Sequence, residues 1–274
     1  MFCLLELKGT GKMKSFYRIM AACIYLIAVI LTSSLFAQDD AQILYKRGAC
    51  YANGDGVGKD MAEAAKWWRK AAEQGNAMAQ LLLGACYVDG EGVIKDMAEA
   101  VKWWNKAAEQ GNAMAQTNLG WCYQYGEGVD KDMAEAVNWY RKAAEQGFVR
   151  AQCSIGLCYA NGNGVDKDMG EAIKWWRKAA EQEDELAQFY LGRCYANGIG
   201  VDKDMAEAVK WFRKASEGGN ARAQLLLGAC YADGDGVGKD AAEAVKWWRK
   251  AAEGNNEEVR ESAKKALKEL EEER

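Results

Sequence analysis

Residues 83–116 read LGACYVDGEGVIKDMAEAVKWWNKAAEQGNAMAQ, and closely similar text returns every 36 residues along the chain. Cys50, Cys86, Cys122, Cys158, Cys194 and Cys230 fall on this period, as do Asp60, Asp96, Asp132, Asp168, Asp204 and Asp240. Six consecutive copies of a unit this size denote a stacked array, in which each unit buries its apolar face against its neighbours.

Each unit reads as two helices. In the second, Asp60 is placed to cap the N-terminus, with Glu63 at the spacing of a capping box. Ala64, Trp67, Trp68, Ala71 and Ala72 then follow at helical spacing as one apolar stripe, with Lys66, Arg69, Lys70 and Glu73 opposite. Gly75 supplies the left-handed residue that ends such a helix. The first helix is shorter, from about Ala77 to Val88 in the second unit, with Ala79, Leu83, Cys86 and Tyr87 inward. Gly84 sits in its middle and recurs as Gly48, Gly120, Gly156, Gly192 and Gly228. A mid-helix glycine costs roughly 1 kcal/mol against alanine. Its repetition predicts a close helix–helix approach, with a tryptophan ring of the partner helix filling the space. The connection Gly54-Asp55-Gly56-Val57-Gly58-Lys59-Asp60 reads as a tight turn whose valine plugs the core.

This unit resembles the Sel1-like repeat, a relative of the tetratricopeptide repeat, over residues 41–256. The resemblance implies an all-α, right-handed superhelical solenoid of six 36-residue antiparallel helix pairs, and membership of a family of adaptors that assemble protein complexes. Its ends depart from the pattern. Ile43 and Leu44 take the places of Ala79 and Gln80, as in an N-terminal cap. The fourth unit ends Gln182-Glu183-Asp184 without a glycine, so a different connection is expected there. Residues 257–274 read as a charged amphipathic helix that caps the C-terminal end.

Residues 1–37 carry Lys8, Lys12, Lys14 and Arg18 against Glu6, a net +3; the whole chain is −4, which leaves −7 for the remainder. A mildly acidic chain of mixed signs lacks the basic footprint of a nucleic-acid binder. The apolar run Ile19–Leu31 behind those bases, then Ala37 before Gln38-Asp39-Asp40, reads as an export signal cleaved after Ala37, with Met13 as an alternative start. Leu35 is large for its place before the cleavage point. Retained, residues 19–37 approach the length that spans a bilayer, and only then is membrane contact expected. Cys23 is poorly placed for a lipoprotein signal, since the apolar run follows it. The protein is therefore expected to be periplasmic or secreted, with an inner-membrane anchor as the alternative.

Catalytic and ligand motifs are weak. Histidine is absent, which removes the commonest general base and metal ligand, and there is no C-x-x-C. Neither metal nor cofactor is expected. Equivalent cysteines on neighbouring helices, whose axes lie about 8–10 Å apart, are too distant for a bridge needing Cα atoms within about 7 Å. Small buried apolar side chains is the reading adopted for them. Gly58-Lys59 and Gly238-Lys239 resemble the end of a P-loop, but Asn53 and Asp233 stand where a glycine is required. A calcium loop fails at Val57 and Val237, where an oxygen ligand belongs. Ser262-Ala263-Lys264-Lys265 matches S-x-x-K without its companion motifs. It leaves a peptidoglycan- or β-lactam-binding protein as the alternative to a non-catalytic scaffold. The paired tryptophans read as core, since their second position varies only among Trp, Tyr140 and Phe212.

A partner is best sought where the copies differ. On the first helix they differ most at unit positions 2, 5, 6, 9 and 13, and positions 2, 5, 9 and 13 share one face at helical spacing. In the related tetratricopeptide fold that face lines a concave, ligand-binding groove. The expected contact residues are Met78, Met114, Trp121, Tyr125, Arg150, Leu157, Leu186, Phe189, Arg193 and Arg222. Aromatic and arginine anchors over an apolar strip fit a peptide or protein partner. Leu81 and Leu225 are equally compatible with packing between first helices. The sequence leaves the oligomeric state open.

Overall fold

A computed structural model describes residues 40–272. The expected signal segment, Cys23 and the start at Met13 lie outside the described residues. All regular structure among the described residues is helical: α1 (40–53), α2 (Met61–Glu73), α3 (Ala77–Asp89), α4 (Met97–Glu109), α5 (Ala113–Tyr125), α6 (Met133–Glu145), α7 (Val149–Asn161), α8 (Met169–Ala180), α9 (Glu185–Asn197), α10 (Met205–Glu217), α11 (Ala221–Asp233), α12 (Ala241–Glu253) and α13 (Glu257–Glu272). The chain divides into two compact units, residues 1–107 and 108–274. None of the described helices is long and apolar enough to cross a membrane.

The local signals act where the sequence places them. Asp60 Oδ1 accepts from the amides of Ala62 and Glu63 at 2.9 and 3.0 Å, and Asp96, Asp132, Asp168, Asp204 and Asp240 cap their helices alike. The glutamate of each box turns outward instead of back to the cap: Glu63 pairs with Lys66 and Glu207 with Lys210. First helices start on Asn76, Asn112, Asp184 and Asn220, each accepting an amide hydrogen bond. Phe148 takes that place before α7 without a side-chain cap. The connection expected to differ after α8 keeps the shape of the others. Glu183 adopts φ 66°, where Gly75, Gly111 and Gly147 have φ near 90°, so a left-handed residue is retained without glycine.

In the first unit, Ala64, Ala65, Trp68, Ala71 and Ala72 of α2 pack with Ala79, Leu83 and Cys86 of α3 and with Trp103 of α4. The buried stripe of the second helix is thus wider than the stripe read from the sequence, since the place of Ala65 is buried again as Val101, Val137, Ile173 and Val209. In the second unit α5 to α12 pack each against the next, and α13 packs on α12 and α11, burying Val259 and Ala263.

The mid-helix glycine has a steric cause. A Cβ on Gly84 would stand 2.4 Å from Trp104 Nε1, and one on Gly156 would stand 2.4 Å from Trp176 Nε1. The same approach recurs at Gly48–Trp68, Gly120–Tyr140, Gly192–Phe212 and Gly228–Trp248. The second aromatic of each pair therefore lies on a bare patch of the preceding first helix. In three of the four tryptophan copies the indole also donates to that helix: Trp104 to Leu81 O at 3.1 Å, Trp176 to Cys153 O at 3.3 Å and Trp248 to Leu225 O at 3.0 Å, while the buried Trp68 indole has no partner.

Candidate functional site

The first helices of the second unit carry most of the residues expected to meet a partner, and the structure sorts them into two groups. Positions 2, 9 and 13 face outward. Met114, Trp121 and Tyr125 on α5 are exposed, as are Arg150 on α7, Arg193 on α9 and Arg222 on α11, while Leu157 and Leu186 are half-buried. Position 5 points inward: Leu81, Thr117, Cys153 and Phe189 are each no more than 5% exposed. Phe189 is therefore corrected from a surface anchor to a core residue. It packs at 6.4 Å from the ring of Phe212 and at 5.5 Å from that of Tyr190. The physical reason is the packing just described. The following second helix lays its aromatic ring against position 5 and covers the side chain in these four copies, while Leu225 in the next is half-buried. Met78, on α3 of the first unit, is exposed.

Two sets of these residues come together. Trp121 and Tyr125 lie one turn apart with ring centroids at 5.4 Å, 44% and 58% exposed. Arg193 and Arg222, with Phe189, Leu225, Glu258 and Ser262, line a cleft of about 280 Å³ between α9, α11 and α13. The Arg193 guanidinium also lies 5.8 Å over the Phe189 ring. Ser262 of the S-x-x-K match reaches this cleft, but Lys265 points its ammonium toward Glu269 at 3.6 Å with 77% of its side chain exposed. A nucleophile needs its base within hydrogen-bond reach, and this lysine is directed elsewhere.

The remaining chemistry-bearing side chains are built into the core. Six of the seven cysteines among the described residues are buried, all seven are free, and Cys50 is half-buried. Burial pushes the thiol of Cys86 up to about 11 and that of Cys122 to about 12, with nearby carboxylates adding to the effect at both. A thiol held neutral in this way is a poor nucleophile.

Three periodic contacts escaped the sequence reading. The first is a buried glutamine at the first helix's fourth place. Gln80, Gln116, Gln152, Gln188 and Gln224 each donate from Nε2 to the last turn of the preceding helix, at Ala72, Ala108, Ala144, Ala180 and Ser216. The second overturns the solvent-facing assignment of Arg69. Arg69, Arg141, Arg177 and Arg213 donate to the hydroxyls of Tyr87, Tyr159, Tyr195 and Tyr231 at 2.7–3.2 Å. The third is a lysine over the first aromatic of each pair, such as Lys142 at 3.9 Å from the Trp139 ring centre. A polar residue repeated in most or all copies was the available signal for all three, with Leu44 and Asn105 the exceptions at the glutamine and arginine places.

The Sel1 repeat family model matches residues 42–76, 77–112, 113–148, 149–184, 186–220 and 221–256. The chain is similar to the crystal structure of a protective antigen of uropathogenic Escherichia coli strains, at 36% identity over 85% of this chain and 54% of that one, with a TM-score of 0.77. It thus spans about half the length of that protein. It is also similar to a Sel1 repeat protein from Oxalobacter formigenes, at 41% identity over 77% of this chain and 86% of that one, with a TM-score of 0.71. No protein of curated function matches the chain. Sel1 repeat proteins are in general scaffolds for protein–protein interaction.

Proposed function

Because the chain belongs to the Sel1 repeat family, we propose that it acts as a non-catalytic scaffold that captures a peptide or protein edge on the outward face of its first helices. The observation that carries this reading is the exposed Trp121–Tyr125 pair. A largely exposed tryptophan at a place where Ala49, Ala85 and Ala229 stand in other copies is not required by the repeat's own packing. Large aromatic side chains with few rotatable bonds are the usual anchors of protein interfaces. Half-buried Leu157 and Leu186 and exposed Arg150, Arg193 and Arg222 extend the same face along α7, α9 and α11. This gives apolar contact with guanidinium groups beside it, suited to a partner bearing apolar and acidic side chains. The location that goes with this reading is outside the inner membrane, supported by the basic, apolar and small-residue order of residues 1–37.

The test is a pull-down from cross-linked envelope extract with the native chain and with a Trp121→Lys, Tyr125→Lys, Arg193→Glu bait of unchanged helicity. A protein retained by the native bait and lost by the triple variant is the expected result. Identical recoveries would remove the first-helix face as the capture surface.

A further inference from the structure

We infer that the second unit holds a binding site for a primary ammonium group, in the cleft between the C-terminal ends of α8 and α10 and the first turn of α9. The cleft measures about 560 Å³ and is lined by Ala180, Glu181, Glu183, Gln188, Trp211, Lys214, Glu217 and Gly218. None of these belongs to the proposed partner face, so the two readings stand or fall separately.

The argument begins with the buried glutamines. One repeat earlier, Gln182 Nε2 donates to Gln152 Oε1 at 2.9 Å, and lies 3.3 and 3.4 Å from the carbonyl oxygens of Gly147 and Lys178. A single nitrogen therefore sits among three acceptors. Two repeats earlier, Gln146 Nε2 meets Gln116 Oε1 in the same way at 2.8 Å. In the next copy the residue in the place of Gln182 is Gly218. Gln188 still turns its Nε2 to Ala180 O, which leaves its Oε1 pointing at the space where that amide would lie. Gln188 is 4% exposed, and its Oε1 is buried without a hydrogen-bond partner. A buried acceptor left unmade in this way loses its hydration without regaining a hydrogen bond, so the site favours a donor. The nitrogen position vacated by the glutamine is bounded by this oxygen and by the carbonyls of Glu183 and Lys214, the counterparts of Gly147 and Lys178.

The charge around that position selects a cation over a neutral amide. Glu181 and Glu217 stand at the ends of their helices, where the partial negative charge of the helix terminus adds to their own. Glu183 adds a third carboxylate, and it does so from a left-handed backbone at φ 66°, where Gly75, Gly111, Gly147 and Gly219 stand in other copies. Two departures from the repeat, Glu183 in place of glycine at the end of the fourth copy and Gly218 in place of glutamine at the end of the fifth, thus fall on one cleft. The single cation in the lining, Lys214, is held 4.6 Å over the Trp211 ring. That contact recurs in the other copies, and Gln188 Oε1 stays without a partner, while the Lys214 carbonyl accepts only the Gly218 amide and keeps its second lone pair. The Trp211 indole N–H is also unpartnered, but so are those of Trp67 and Trp139, which makes it a property of the repeat. An ammonium nitrogen carries three donors and no acceptor, matching three inward oxygens and a carboxylate rim.

The chemistry is shared by a free alkylamine and by a lysine side chain of a partner, and two probes separate them. The full chain, labelled with nitrogen-15, is titrated with n-butylammonium or with the blocked tripeptide acetyl-Gly-Lys-Gly-amide while the side-chain amide signal of Gln188 is followed. Neutral n-butanol serves as the control. Saturable displacement of that signal by either amine and not by n-butanol is expected, and the tighter of the two names the source. Gly218→Gln should restore the donor of the neighbouring copies and weaken amine binding at least tenfold. At Gly218 φ is −71°, so glutamine fits the backbone, with its Cβ 3.1 Å from Glu185 Cβ. Glu183→Gly, the residue of the other copies, should weaken binding while keeping the fold. An unmoved Gln188 signal with both amines, or equal binding by the native chain and Gly218→Gln, would overturn the site.

Discussion

Trp121 and Trp176 are both helical tryptophans of the second unit, and they have opposite fates. Trp176 is 3% exposed, lies on the bare backbone at Gly156, stacks on Tyr190 at 4.8 Å and donates its indole N–H to Cys153 O. Trp121 is 44% exposed. Their copies differ in the same sense. The place of Trp176 admits only Trp, Tyr140 and Phe212, whereas that of Trp121 admits Ala85, Leu157, Arg193 and Ala229. Repetition inside one chain therefore acts as its own control, because a site that must fill a fixed space keeps its size and a free surface does not. Position 5 limits the rule: it varies from Thr117 to Phe189 and is buried throughout those copies. There the neighbouring helix adapts, as where Phe189 meets Phe212 and not tryptophan.

The comparison breaks most visibly at its buried member. Trp176→Ala should destabilise the protein by about 3–5 kcal/mol, the cost of emptying a large aromatic site, read as a lower urea midpoint by circular dichroism. A loss below about 1 kcal/mol would mean that the ring does not seal the inter-helix space. The corrected assignment of position 5 is sharpened by a pair of variants. Phe189→Ala should cost about 3 kcal/mol, while Trp121→Ala should stay within about 0.5 kcal/mol of the native chain and reduce partner capture. The reverse order would return Phe189 to the surface.

Gly156→Ala isolates the backbone side of the same contact. Alanine gains roughly 1 kcal/mol of helix propensity, but its Cβ would meet the Trp176 indole at 2.4 Å. Overpacking of this kind costs about 1–3 kcal/mol, so thermal melting should show a net loss of about 1 kcal/mol and no gain. The double variant Gly156→Ala, Trp176→Phe should recover part of it, since Phe212 already occupies that place above Gly192. A small gain is expected away from the core. Glu183→Gly should stabilise by up to about 1 kcal/mol through relief of a left-handed non-glycine residue, seen as a higher melting temperature.

Much of this was legible in the text of the repeat. The period, the aspartate caps, the mid-helix glycine facing an aromatic ring and the buried cysteines all follow from spacing, because helix geometry is local and six copies average out its exceptions. Three features were not. Gln80 and its copies look like surface residues, since a polar side chain is read as exposed unless its partner is known, and that partner is the carbonyl of a residue eight places away. Arg69 looks solvent-facing until Tyr87, eighteen residues on, is brought beside it. The orphaned Gln188 Oε1 depends on an exchange at Gly218, thirty residues away, which the sequence alone presents as an ordinary end-of-helix variation.

By itself, the sequence determined that the chain is a stack of near-identical helix pairs, where each helix starts, and which places tolerate only aromatic residues. The reason is that capping, helical periodicity and steric volume are written within one unit. Only the tertiary structure decided which varying places are covered. The second glycine of the connecting loop illustrates why. A Cβ on Gly92 would stand 2.1 Å from Met61 O of the preceding helix pair, while one on Gly56, with no described pair before it, would meet nothing within 4 Å. The two residues share a closely similar local text and the same left-handed backbone. What differs is the neighbour, and burial, orphaned polar atoms and open aromatic faces are all properties of the neighbour.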